Sequence, residues 1–148
     1  MKPDLSFLVG TWRGQGEGGY PSVEDFEYSE EMTFTDAGDG VFVYREQAWD
    51  AEGEPIHSEA GYLRALDDGS LDLALAYPFG VSEVMEGQVE GMKLSLASKS
   101  VGVTMHGEPV TGLRRVIEVD RESLVYETLM ATPERSMARH LRGTLSRV

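Results

Sequence analysis

The residues able to do chemistry are few. Histidine occurs at His57, His106 and His140, and cysteine is absent. Without cysteine there is no disulfide, no thiolate-bound zinc, no iron–sulfur cluster and no thiolate haem ligand. The three histidines are far apart and form neither H-x-H nor H-x-x-E-H, so their spacing does not make a three-ligand zinc site. One neutral imidazole in a pocket is nevertheless enough to hold a haem iron. Ser98 and Ser100 lack the G-x-S-x-G setting of a serine nucleophile. Glu30 and Glu31 are adjacent on an extended segment and point to opposite faces, so they cannot act on one substrate bond.

Gly10-Thr11-Trp12-Arg13-Gly14-Gln15-Gly16-Glu17-Gly18-Gly19 reads as a strand. Thr11, Arg13, Gln15 and Glu17 form its polar face. Trp12, Gly14, Gly16 and Gly18 form the other. Each internal glycine weakens a strand by about 0.5–1 kcal/mol relative to alanine. Three on one face therefore imply a sharp bend, or a backbone or ligand approaching where side chains are missing. The segment is not a phosphate loop, since no Gly-Lys-Ser/Thr follows.

These residues need elements to position them, and the rest of the chain supplies strands. Pro3 to Val9 can make one helical turn, with Asp4 as its N-cap. Asp25 to Thr35 alternates, with Phe26, Tyr28, Met32 and Phe34 on one face. Glu30 shares that apolar face, so it must be paired, hydrogen-bonded or near an opening. Turns at 37–40, 52–53 and 67–69 separate strands at Val41–Asp50, Ile56–Ala65 and Ser70–Tyr77. Val81–Val89 and Met92–Lys99 form a hairpin, with Met92, Leu94 and Leu96 inward. Val101 to Pro109 is irregular. Val110–Val119 and Ser123–Ala131 pair about Asp120-Arg121. A turn or helical piece and a last strand complete Pro133 to Val148. Short strands at even spacing with no long helical period predict an all-β sandwich or closed barrel.

The chain has 148 residues and a formal charge of -13. That size suits one domain, taken as 1–148. The acidic balance argues against nucleic-acid and anionic-membrane partners. No apolar run reaches the ~18 residues of a membrane span. The N-terminus lacks an apolar signal core, so a cytoplasmic location is expected.

Gly10 to Gly18 fits G-x-W-x-G-x-G-x-G, and the whole stretch resembles the nitrobindins. Tyr20-Pro21-Ser22-Val23 is similar to that family's Tyr-Pro-Thr-Ile segment. Met130-Ala131-Thr132, followed by His140-Leu141, is similar to its C-terminal segment. Pro55 to Arg64 resembles its Pro-x-His-x-Glu-x-Gly-x-x-Arg block, in which His57 and Glu59 read as structural. Tyr77-Pro78-Phe79-Gly80 is similar to a family turn that often begins with histidine.

The resemblance implies an antiparallel up-and-down barrel of about ten strands, in the lipocalin and fatty-acid-binding-protein class, with the first strand beside the last and Trp12 capping one end. It implies ferric haem b with His140 as the iron ligand and catalytic residue, and Ser22 against the porphyrin. The bare glycine face and the apolar faces of neighbouring strands place the cavity over Gly14, Gly16 and Gly18, walled by members of Phe26, Tyr28, Met32, Leu73, Leu75, Met85, Leu94 and Tyr126. The expected activity is isomerisation of peroxynitrite to nitrate, with nitric oxide binding beside it, in a monomer or homodimer. The iron's other face is expected to be open and apolar. The alternative is a non-enzymatic carrier of an apolar small molecule. Strict alternation groups His140 with Arg142 and Thr144, so only a bulge or helical approach would turn its ring inward.

Overall fold

Alternating apolar residues cannot be buried by a lone strand, and here ten strands bury them together by closing on themselves. In the computed structural model a 3₁₀ turn, Ser6–Leu8, precedes β1 (Gly10–Tyr20), β2 (Val23–Gly38), β3 (Val41–Trp49), β4 (Pro55–Ala65) and β5 (Ser70–Tyr77). Then come β6 (Val81–Glu90), β7 (Lys93–Val103), β8 (Gly112–Asp120), β9 (Ser123–Thr132) and β10 (Arg135–Arg147). The structure describes residues 1–20 and 23–148, without the side chains of Tyr20, Val23 and Glu24.

Each strand pairs antiparallel with the next, and β1 pairs with β10 from Trp12↔Arg147 to Gly18↔Leu141. The barrel therefore closes on itself, with each strand paired on both sides over at least part of its length. Among the described residues no helix is long and apolar enough to cross a membrane.

One end is packed solid. Trp12, Leu8, Met85, Leu94 and Leu124 are buried completely or nearly so. The Trp12 indole N–H donates to the Leu8 carbonyl at 2.8 Å, and the Arg147 guanidinium lies 4.2 Å above its ring. Arg147 also donates to the carbonyls of Val9 and Phe7. Trp12 thus caps this end, held between the 3₁₀ turn and the last strand.

β7 departs from its neighbours near its middle. It pairs with β8 only from Lys93 to Ala97, and Lys99 is an extra residue opposite β6. There the Ser98 hydroxyl accepts the Leu113 N–H at 2.8 Å, replacing a ladder bond, and lies 2.9 Å from Glu83.

Several local expectations are corrected. Asp4 precedes the 3₁₀ turn, which carries no side-chain cap; its carboxylate accepts the Ser6 N–H. Met92 faces solvent, because Glu90 and Lys93 close a two-residue turn with Gly91 at φ 59°. The tail, by contrast, is as expected, a turn at Pro133-Glu134 followed by the last strand.

Candidate functional site

The other end of the barrel is hollow. A cavity of about 390 Å³ runs along β2 from Met32 outward past Glu30 and Tyr28 to Phe26, and Asp50, Ile56, His57, His140 and Leu141 also line it. Leu73, Leu75, Met85 and Leu94 are not in its wall; they belong to the packed end.

His140 reaches the cavity through a bulge. In the β9–β10 pairing Arg139 faces Leu129 and Leu141 faces Thr128, which leaves His140 as an extra residue. An extra residue bends the strand and resets the alternation. His140 and Leu141 consequently both line the cavity. The imidazole Nδ1 lies 3.4 Å from the Gly19 carbonyl, beside a second irregularity where the β1–β2 register shifts between Gly18 and Tyr20. Burial lowers the His140 pKa, against the Gly19 contact, which raises it.

The glycine face has a use other than the expected one. A side chain at Gly16 would strike the Tyr28 ring, one at Gly18 the Phe26 ring and Leu141, and one at Gly143 the Tyr126 ring. Each ring belongs to the residue directly across the strand pair. The aromatics lie flat over the bare glycines, a pairing that recovers packing area. A side chain at Gly14 would meet the backbone of Thr144 and Leu145. Gly14, Gly16 and Gly18 are not among the residues lining the cavity. They seat the rings and the neighbouring strand, and the expectation of a cavity directly over them is corrected. Ser22 lies outside the described residues.

Part of the cavity wall is charged, where a largely apolar face was expected. Arg115, on β8, pairs with Glu59, on β4, and both are buried. Arg115 also donates to the hydroxyls of Tyr44 at 3.1 Å and Tyr77 at 3.3 Å. Tyr44 donates to Glu59 at 2.5 Å, and Tyr77 to Glu83. Burial alone would raise the Glu59 pKa, but the Arg115 charge, with hydrogen bonds from His57 and Arg115, holds it well below the usual carboxylate range. The Tyr126 hydroxyl lies 2.7 Å from Glu30 and 2.5 Å from the Tyr28 hydroxyl. Burial pushes Glu30 up to about 7, against the Tyr126 hydrogen bond, which lowers it. Burial, then the charges of Glu59 and Glu30, raises Glu46.

A model of the THAP4-like, heme-binding beta-barrel domain matches residues 3–147. The chain belongs to that family. It is the family that the glycine strand and the His140 segment resemble. Among its relatives, peroxynitrite isomerase 1 of Mycolicibacterium paratuberculosis is 36% identical, over 99% of this chain and 96% of the relative. The peroxynitrite isomerase of Nocardia farcinica is 35% identical, over 99% and 92%. The crystal structure of Rv2717c from M. tuberculosis superposes with a TM-score of 0.90 at 36% identity, over 97% of this chain and 94% of that one.

Within this family barrel the structure brings together His140, Glu30 and His57 and leaves His106 exposed in the segment after β7, away from the cavity. Arg115 and Glu46 were missed from sequence. The signal was the one that singled out Glu30. Leu113-x-Arg115-x-Ile117 and Tyr44-x-Glu46-x-Ala48 each place a charge on a buried face. Tyr77, at the position where the similar turn often has histidine, stacks on Phe79 at 5.3 Å and joins the Arg115 network.

The residues fit a haem. The cavity is open at one end, its outer part carries Phe26, Ile56 and Leu141, and of the two imidazoles that line it, that of His140 has a backbone carbonyl beside Nδ1. Such a carbonyl orients a ligating histidine and fixes its tautomer.

Proposed function

We propose that this chain binds haem b in the ferric state through His140, isomerises peroxynitrite to nitrate, and binds nitric oxide at the same centre. The observation that carries the reading is the extra residue in β10, which turns the His140 ring into the cavity instead of leaving it on the face of Arg142 and Thr144. Membership of a heme-binding barrel family and relatives named peroxynitrite isomerase support it.

His140 has two tasks, to present a lone pair and to hold its ring still. Burial favours the neutral imidazole. With Nδ1–H donating to the Gly19 carbonyl, Nε2 carries the lone pair, as ligation requires. When bound, haem supplies Lewis-acid activation of the peroxo oxygen, from which rearrangement to nitrate proceeds. Phe26 and Leu141, both packed over Gly18, supply apolar surface for a macrocycle at the mouth. Ser22 is proposed to stand beside the porphyrin. Gly14, Gly16 and Gly18 act on the cofactor indirectly, through the rings and strand they seat. The same reading makes residues 1–148 one barrel domain, cytoplasmic, working as a monomer or homodimer without nucleic-acid or membrane partners.

The alternative of an apolar-molecule carrier is opposed by Glu30, Glu46, Glu59 and Arg115 in the cavity wall. The test is a haem titration of wild type and His140→Ala, with peroxynitrite decay followed on both. Wild type should bind haem tightly and accelerate the decay, and the variant should lose both. A variant that keeps both overturns the ligand assignment. A wild type that binds haem without accelerating decay overturns the isomerase reading.

A further inference from the structure

We propose a second ligand site in the cavity wall, formed by Glu46, His57 and Glu59, that takes one divalent transition-metal cation of the zinc class. The three residues come from β3 and β4, and one donor atom from each lies within 4.8 Å of the others. The separations suit a small ion. His57 Nε2 stands 3.1 Å from Glu59 Oε2 and 3.5 Å from Glu46 Oε2. Around a tetrahedral zinc with bonds of about 2.0–2.1 Å, ligand atoms stand about 3.3–3.4 Å apart.

Three further observations point to a ligand. The first is Glu46 itself. It is 6% exposed, and its Oε1 has no hydrogen-bond partner among the described residues. Its other oxygen, Oε2, faces His57, so a cation held by both oxygens of the carboxylate would satisfy the unpartnered one as well. The second is the division of work on Glu59. Arg115 and Tyr44 occupy Oε1, leaving Oε2 turned toward His57, so the guanidinium does not take the position a cation would use. The third is charge. Glu30, Glu46 and Glu59 line this cavity against the single guanidinium of Arg115. The cavity is open, so an ion can enter and water can complete its coordination.

An imidazole with two carboxylates suits zinc or cobalt(II). Magnesium and calcium prefer all-oxygen sites. The site shares its cavity with the proposed haem ligand, but none of its three donors is His140, which lies on β10. The two readings can therefore fail separately.

The test uses the full chain, haem-free and stripped by chelator. Zinc affinity is read by competition with a chromophoric chelator, and coordination from the visible spectrum of the cobalt(II) form. Wild type and His140→Ala should each take up one ion, with cobalt bands showing nitrogen ligation. Glu46→Gln should bind at least about tenfold more weakly and lose the bands. His57→Gln, at a part-exposed rim position, provides a second variant should Glu46→Gln fold poorly, and is expected to behave alike. Glu52→Gln, on an exposed turn, should change nothing. Wild type without uptake at millimolar cation, or both cavity variants binding like wild type, overturns the proposal. Equal preference for magnesium would overturn the chemical class.

Discussion

Replacing Arg115 by methionine tests whether the charged wall is held by one guanidinium. Methionine keeps the length of the aliphatic stem and removes the charge. Arg115 is 4% exposed and Glu59 6% exposed, so Glu59 would be left as a buried carboxylate with only Tyr44 and His57 beside it. Breaking one partner of a buried pair costs about 3–5 kcal/mol. At about 2.1 cal/mol/K per residue, the unfolding entropy of 148 residues near the midpoint is about 0.31 kcal/mol/K, and the cost is a fall in Tm of roughly 10–16 °C. Urea unfolding followed by tryptophan fluorescence should give that loss with an unchanged m-value. Arg115→Met with Glu59→Gln should recover most of it, because no unpaired charge remains. The loss should also shrink as pH falls, since Glu59 freed of Arg115 takes up a proton more readily. A single variant that loses under about 1 kcal/mol, or a double variant whose losses simply add, would refute the reasoning.

Two other outcomes are expected. Glu30 has its folded pKa raised to about 7 from an ordinary 4.5. Its contribution is fully present below 4.5 and is lost as pH rises through 7, by about 3 kcal/mol. In metal- and haem-free protein, stability measured from pH 5 to 8 should therefore fall less steeply for Glu30→Gln than for wild type; parallel curves would exclude Glu30 as the source. Gly16→Ala should lower stability by about 1–3 kcal/mol despite alanine's better strand propensity, because its methyl enters the Tyr28 ring position. Denaturation at equal or higher urea would show that the ring moves aside freely.

The fold was legible because its signals are local. The Ser70–Tyr77 strand is bounded as its alternation predicts, and Trp12 lies fully buried where the glycine strand begins. Glu30 was legible for the same reason, a carboxylate among alternating apolar residues. The direction of His140 was not. It depends on how many residues β10 spends opposite β9, a property of the pairing and not of β10 alone. The partnership of Arg115 with Glu59 joins residues 56 positions apart, and no local period encodes it. Met92 misled because alternation was carried through a turn that Gly91 makes by adopting a positive φ.

The last strand has a bearing on how the molecule is made. β10 carries Arg147, which clamps Trp12 at the packed end, and His140, which enters the cavity at the other. His140 meets Gly19 across 121 positions of sequence. During synthesis β1 is made first of the ten strands and waits for β10 before its second neighbour exists. Until then β1 and β9 are open edges, able to pair with other nascent chains. The imidazole proposed to hold the cofactor also arrives with the strand that closes the wall. On that reading haem cannot be captured by a partly made barrel, and loading has to follow closure.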